Sequence, residues 1–226
     1  MTASVLLRQD DVPQSVLCLQ DAWKPIELGY VWTLKEDDEE ESMQRFPAKP
    51  HAWHLIRWWQ GRHPVLAQQG WNSRFMFVKK TRRMLATWTF SWCILHDAMT
   101  FPGAVNGIGS IRFESVEWIL VRRLKLMYDN LPEDIFPSGK PRMEARKGII
   151  EFPEIGSQII GFPHGSEQWR GYTFRNVMLD ECGHWDVKAP FLDTYYGLRP
   201  AARRIVAFSS PEEGSGFKRL CLSEEV

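Results

Sequence analysis

No pair of cysteines in this chain has the C-x-x-C spacing of a metal knuckle or a redox dithiol; Cys18, Cys93, Cys182 and Cys221 are scattered along its 226 residues. Such scatter offers no disulfide framework and fits a reducing compartment. Cys182 and His184 flank a glycine, but two ligands without a second pair fall short of a metal site. No apolar run approaches the roughly 20 residues needed to cross a bilayer. No basic-then-apolar leader opens the chain, so a soluble intracellular protein is expected. Net charge is missing too: 28 Lys and Arg balance 28 Asp and Glu. With no global basic field to advertise a nucleic-acid partner, only the local clusters at residues 79–83 and 122–125 remain. Also absent is the strict phosphate-loop pattern G-x-x-x-x-G-K-[ST].

Residues 176–181 (NVMLDE) form a short apolar run that ends in Asp180 and Glu181. A run of this kind reads as a buried strand of a parallel sheet, and in open α/β sheets ligands bind just beyond the carboxyl ends of the strands. A carboxylate pair there suits nucleoside-triphosphate chemistry, the first holding Mg²⁺ and the second polarising water. The plain alternative is a strand followed by an acidic turn. A second apolar strand (74–78, RFMFV) runs into the basic stretch 79–83 and then into a mostly apolar helix over 84–99. Strand, basic loop, threonine and buried helix are the parts of a phosphate-binding loop, in which backbone N–H groups and a cation hold the anion.

The remaining segments are organised around these two. Residues 1–45 read as a peripheral extension with the acidic run 35–41 (KEDDEEE), and the compact domain is expected over 46–226. A helix is expected over 51–62, with an aromatic near Phe46 or Trp53 available as an adenine-facing wall. Residues 101–109 (FPGAVNGIG), with a proline and three glycines, read as a loop. The apolar spacing over 113–130 predicts an amphipathic helix whose Arg122, Arg123 and Lys125 lie on a solvated face. A hairpin is expected around 153–156, one helical turn over 166–171, a helix over 189–198 and a buried strand over 203–208 ending in Ser209-Ser210-Pro211.

Lys80-x-x-Arg83-x-x-x-Thr87 resembles the deviant phosphate loop of the tailed-bacteriophage terminase large subunits, and Leu85 stands where that family usually keeps glycine. Arg170-Gly171 upstream of the acidic strand, the Asp180-Glu181 tip and the Ser209-Ser210 strand end follow in the family's order, and the resemblance covers roughly residue 46 to the end. It implies the N-terminal ATPase domain of such a subunit: an α/β P-loop NTPase of the additional-strand type, with a mostly parallel central sheet flanked by helices on both faces. The loop residues Lys80, Thr81, Arg82, Arg83, Met84, Leu85, Ala86 and Thr87 would bind ATP, with Lys80 and Arg83 on the β- and γ-phosphates. Thr87 and Asp180 would position Mg²⁺, Glu181 would orient the attacking water, and Ser209 and Ser210 would couple γ-phosphate loss to DNA movement. Arg142, Arg146 and Arg170 are all open as an arginine finger or sensor.

The implied partners are double-stranded DNA, other large subunits in a ring, the portal and procapsid, and the small terminase subunit, in the cytoplasm of a host cell. The family's nuclease domain has no counterpart here, so no nuclease activity is expected. Two other readings stay open. Leu85 and Ala86 stand where the strict motif has Gly and Lys, which fits a degenerate, non-hydrolysing P-loop domain that binds DNA or a partner; a helicase-type ATPase fragment would share the same strand order.

Overall fold

In a computed structural model that describes residues 12–35, 42–68, 74–81, 84–164, 169–185, 191–210 and 215–222, the chain begins with α1 (Gln14–Gln20) and α2 (Lys24–Glu27). An antiparallel ribbon follows, β1 (Trp32–Lys35) with β2 (Ser42–Arg45), then α3 (Pro50–Trp59) and α4 (Pro64–Gln68). Next come β3 (Phe75–Lys79), the long helix α5 (Ala86–Thr100) and β4 (Val105–Ser110). A second long helical run passes from α6 (Phe113–Glu117) through a wider-wound π segment (Trp118–Leu124) into α7 (Lys125–Asp129). The remainder is β5 (Glu144–Arg146), β6 (Ile149–Phe152), β7 (Ser157–Pro163), β8 (Phe174–Asp180), a short 3-10 turn (Cys182–His184), α8 (Phe191–Leu198), β9 (Ala202–Ser209) and α9 (Gly216–Leu222).

Seven strands form one sheet in the order β3-β9-β8-β4-β7-β6-β5. The first five are parallel, and β6 and β5 complete one edge as an antiparallel pair. β9 lies between the basic-loop strand β3 and the acidic strand β8, parallel to both. Alternation along each strand divides the apolar side chains between two faces. Met178, Val206 and Phe208 join Ile56, Trp59, Phe90 and Trp92 on the face covered by α3 and α5. Val177, Leu179, Ile205 and Ala207 join Phe191, Tyr195 and Phe217 on the face covered by α8 and α9. With both faces covered, strands 174–180 and 202–209 can be apolar almost throughout. α5 is buried over fourteen of its fifteen residues, as a helix apolar all round must be.

Residues 101–104 of the expected loop do form a turn, but 105–109 belong to the central strand β4, hydrogen-bonded on one side to β7 and on the other to β8. Its glycines reflect crowding rather than a turn. A Cβ on Gly109 would lie 2.7 Å from Leu179 Cδ2 and 2.8 Å from Phe162 Cε2, and one on Gly107 would lie 3.1 Å from Phe174. The helix over 113–130 and the hairpin at 153–156 form as expected. The acidic residues 36–41 and the first half of the turn expected over 166–171 lie outside the described residues. Cys18, Ala22, Ile26 and Val31 are buried in the same cluster as α5, so the segment before Phe46 carries apolar side chains into that core.

His96, in the last turns of α5, is buried with its Nε2 2.8 Å from the Cys18 carbonyl. Burial lowers its pKa from the usual 6.5 to about 4. The neutral ring therefore contributes stability that is complete above pH 6.5 and is lost as the pH falls through 4. Relative to wild type, His96→Gln is expected to gain about 3 kcal/mol between neutral pH and pH 4. Paired denaturant melts at the two pH values measure this; a difference independent of pH would show that the ring does not titrate in that window.

Candidate functional site

Register brings three strand ends to one level. Val78 pairs with Phe208 and Phe208 with Asp180, while Lys79 pairs with Ser209. Lys80, Ser210 and Glu181, each one residue past its strand, therefore emerge side by side at the carboxyl end of β3, β9 and β8. Lys80 N–H donates to the Ser209 carbonyl at 2.9 Å, extending the ladder into the loop. The N-terminus of α5 points into the same space, where its first-turn N–H groups have no intrahelical acceptors and favour an anion.

The side chains interlock. Lys80 Nζ lies 3.0 Å from Asp180 Oδ1, 2.8 Å from Glu181 Oε1 and 3.3 Å from Thr87 Oγ1. Thr87 Oγ1 donates to Asp180 Oδ2 at 3.2 Å, and the Glu181 N–H donates to Asp180 Oδ1 at 2.9 Å. Burial opposes the charge on Lys80, yet the two carboxylates outweigh it and its pKa lies above the ordinary lysine value. Burial, reinforced by Glu181, pushes the Asp180 pKa up against the pull of Lys80. Trp185 Nε1–H holds the Asp180 backbone carbonyl at 3.0 Å. Beyond Glu181, His184 Nε2 is 2.9 Å from Ser210 Oγ and 3.6 Å from Glu181 Oε2. Lys80, Thr87, Asp180, Glu181, His184 and Ser210 line a cleft of about 770 Å³ together with Trp88, Ile111 and Arg123.

Backbone conformation marks the same place. Among the described residues, two other than glycine have a left-handed φ: Leu85 at 55° and Glu181 at 54°. Both line the cleft. An L-residue in this conformation costs about 1–2 kcal/mol, and such strain persists where surrounding contacts enforce it, characteristically at functional sites. Leu85 adopts a glycine-like turn and packs its side chain against the core cluster. The turn is pinned from both sides. His51 Nε2 is 3.0 Å from the Met84 carbonyl, and the Leu85 carbonyl accepts Thr89 N–H at 2.8 Å and Thr89 Oγ1–H at 2.9 Å.

Of the residues singled out in the sequence, Lys80, Thr81, Met84, Leu85, Ala86, Thr87, Asp180, Glu181 and Ser210 line the cleft. Ser209 is buried at the end of β9, where its side-chain oxygen has no hydrogen-bond partner among the described residues. Arg82 and Arg83 lie outside the described residues. Arg142 and Arg146 sit at the far edge of the sheet, paired with Glu144 and Glu151. Arg170 precedes the opposite end of β8, stacked on Trp169 with 5.7 Å from guanidinium carbon to ring centroid. Six residues of strand, about 20 Å, separate that end from Asp180. Cys182 turns its thiol into the core, donating to the Leu179 carbonyl at 3.2 Å, away from His184. Among the described residues, no helix is long and apolar enough to cross a membrane, and no three His, Cys, Asp or Glu converge as a metal cage.

No protein-family model matches the chain, and no curated protein sequence does. Solved structures do. The large terminase of bacteriophage HK97 superposes with a TM-score of 0.55 at 13% identity, over 74% of this chain and 34% of that one. The large terminase of a thermophilic bacteriophage, in a complex with ADP, superposes with a TM-score of 0.52 at 16% identity, over 71% of this chain and 38% of that one. The fold is that of the phage large terminases. The chain thus spans a little over a third of the length of these relatives.

Within this large-terminase fold, four cleft residues were not assigned to the site from sequence: the apolar walls Trp88 and Ile111, and the polar Arg123 and His184. Arg123, placed on a solvated helix face, instead lies over Trp88 at 5.1 Å and lines the cleft. His184, weighed only as half of a metal pair, joins Glu181 to Ser210. The signal for Arg123 is its place one helical turn beyond the apolar Ile119 and Leu120, on a helix that enters the core. For His184 no signal precedes the tertiary contact with β9.

Proposed function

We propose that this chain is an ATP-hydrolysing motor domain of the terminase kind, acting on double-stranded DNA during packaging into a procapsid. The observation that carries the reading is the convergence of Lys80, Thr87, Asp180 and Glu181 at the tip of the sheet beside the N-terminus of α5. Lys80 and the helix terminus bind the phosphates, and Lys80 exchanges part of its bonding to the two carboxylates for them. Thr87 and Asp180 fit Mg²⁺, which takes hard oxygen ligands, commonly one or two carboxylates completed by waters and substrate phosphates. When bound, the ion neutralises charge on the β- and γ-oxygens. Glu181 orients the attacking water and accepts its proton. The Glu181–His184–Ser210 contacts connect that carboxylate to the end of β9, through which the loss of the γ-phosphate reaches the DNA-gripping surface.

The same reading places other copies of the chain in a ring in the host cytoplasm, with the portal and the small terminase subunit as further partners. A neighbouring copy supplies an arginine, and Arg142, Arg146 and Arg170, all outside the cleft, are the candidates. Such an arginine is worth about 10³–10⁵ in rate, so the isolated chain turns over slowly. Binding is therefore the cleaner first test. Trp88 lines the cleft, and its fluorescence should change saturably on titration with ATP and Mg²⁺. No response and no competition against a fluorescent analogue at millimolar nucleotide would instead favour a non-hydrolysing P-loop domain, the reading suggested by Leu85 and Ala86.

A further inference from the structure

Six arginines, Arg62, Arg74, Arg175, Arg199, Arg203 and Arg204, gather at the end of the sheet opposite the cleft. Arg175 is the second residue of β8, Arg203 and Arg204 follow Ala202 at the start of β9, and Arg74 immediately precedes β3. Arg74 is fastened to β9, donating from Nη2 to the Ala202 carbonyl at 2.7 Å and from Nε to the Arg203 carbonyl at 3.1 Å. Arg74 and Arg199 both stack on Phe75, at 5.4 and 5.3 Å, and Arg175 stacks on Phe101 at 3.5 Å. Arg62, Arg175, Arg203 and Arg204 line a hollow of about 90 Å³ that also contains Asp97.

Counter-charge is scarce there. Among the described residues these six arginines make one ion pair, Arg175 Nε with Asp97 Oδ2 at 3.8 Å. Asp97 is already engaged by Trp59 Nε1–H at 3.1 Å and by Asn176. Burial and the mutual repulsion of Arg175, Arg203 and Arg204 draw the pKa values of Arg175 and Arg204 below the usual arginine value. In a chain with formal net charge +0, such a cluster opposes folding and calls for an anion from outside. Three of the guanidinium groups, those of Arg74, Arg175 and Arg199, are held against aromatic rings, which suits the fork-shaped bonding of phosphate oxygens. β8, β9 and β3 are neighbours and span about 10 Å. A duplex carries one charge per roughly 1.7 Å of its axis, so it presents several phosphates to a patch of this width. An isolated carboxylate would answer only one of the six cations.

We propose that this arginine-lined foot of the sheet binds the phosphodiester backbone of double-stranded DNA, at the opposite end of the strands from the nucleotide cleft. The contact is to the backbone alone and carries no sequence preference.

The test is fluorescence anisotropy of a short labelled duplex titrated with the full chain over a range of salt concentrations. Wild type is expected to bind at low salt, with affinity falling steeply as salt rises. Arg199→Gln with Arg203→Gln removes two exposed cations and should lower the salt slope by about 2 and the low-salt affinity by about 10-fold or more. Arg199→Lys with Arg203→Lys should keep the slope and lose part of the affinity. Lys125→Gln with Lys147→Gln, in a separate cleft beside the π segment, should leave the slope unchanged. Thermal melting confirms that each variant is folded. No wild-type binding at about 50 mM salt, an unchanged slope in the Arg→Gln pair, or an equal loss in the lysine pair would each overturn the proposal. DNA binding at this patch in a chain that fails to bind nucleotide would remove the ATPase reading alone and leave this inference standing.

Discussion

Glu181→Gln is expected to lower ATP turnover by about 10²–10⁴-fold, the usual worth of a positioned general base, with nucleotide affinity changed by no more than about threefold. Glutamine keeps the size of the side chain and still reaches Lys80, but its amide neither accepts a proton nor orients water as a carboxylate does. Because the left-handed backbone at Glu181 (φ 54°) is held by the Glu181 N–H to Asp180 bond and by the 3-10 turn that follows, the substitution leaves the loop in place. Single-turnover hydrolysis with DNA present, compared at saturating ATP, measures the effect. Turnover that survives the substitution would move the catalytic role away from Glu181.

Lys80→Ala is expected to have two effects that separate on a second substitution. The Lys80 and Asp180 side chains are only 13% and 9% exposed. Removing one partner of a buried pair costs about 3–5 kcal/mol. Nucleotide affinity should fall by about 100-fold or more, equivalent to roughly 3 kcal/mol. Adding Asp180→Asn to Lys80→Ala removes the stranded carboxylate and should recover most of the stability, since neighbouring residues of one network are not additive. It should recover none of the affinity, because the cation that meets the phosphates is still missing. Denaturant melts and nucleotide titrations on the four members of the cycle distinguish these outcomes. Stability that does not recover would place the cost of Lys80→Ala elsewhere in the loop.

Much of this arrangement was legible before the fold was known, for physical reasons that differ from element to element. β8 and β9 were readable because a strand buried on both faces must be apolar until it leaves the sheet, and the polar residues at its tip mark the ligand end. α5 was readable for the same reason, its long apolar run having to be buried. β4 was not. Its glycines look like a loop in isolation, and only the packing of Leu179 and Phe162 against Gly109 explains why a central strand is made of small residues.

Within the cleft, Lys80, Thr87, Asp180 and Glu181 follow from the order of elements along the chain. The glycine-like turn at Leu85 does not, because a leucine gives no local sign that its backbone is left-handed; the contacts of His51 and Thr89 impose that turn. Arg123 and His184 depend on how distant elements meet. The arginines at the foot of the sheet come from five separate stretches of sequence, and parallel strand pairing is what makes them neighbours.

The central claim is that the Lys80–Thr87 loop and the Asp180-Glu181 tip form one nucleotide site. The most direct measurement is a crystal structure of the full chain soaked with a non-hydrolysable ATP analogue and Mg²⁺. Phosphate density between Lys80 and Asp180, at the N-terminus of α5, is the expected result. Density at another position, or a cleft without nucleotide at saturating analogue with Lys80 still bridging the two carboxylates, would contradict it.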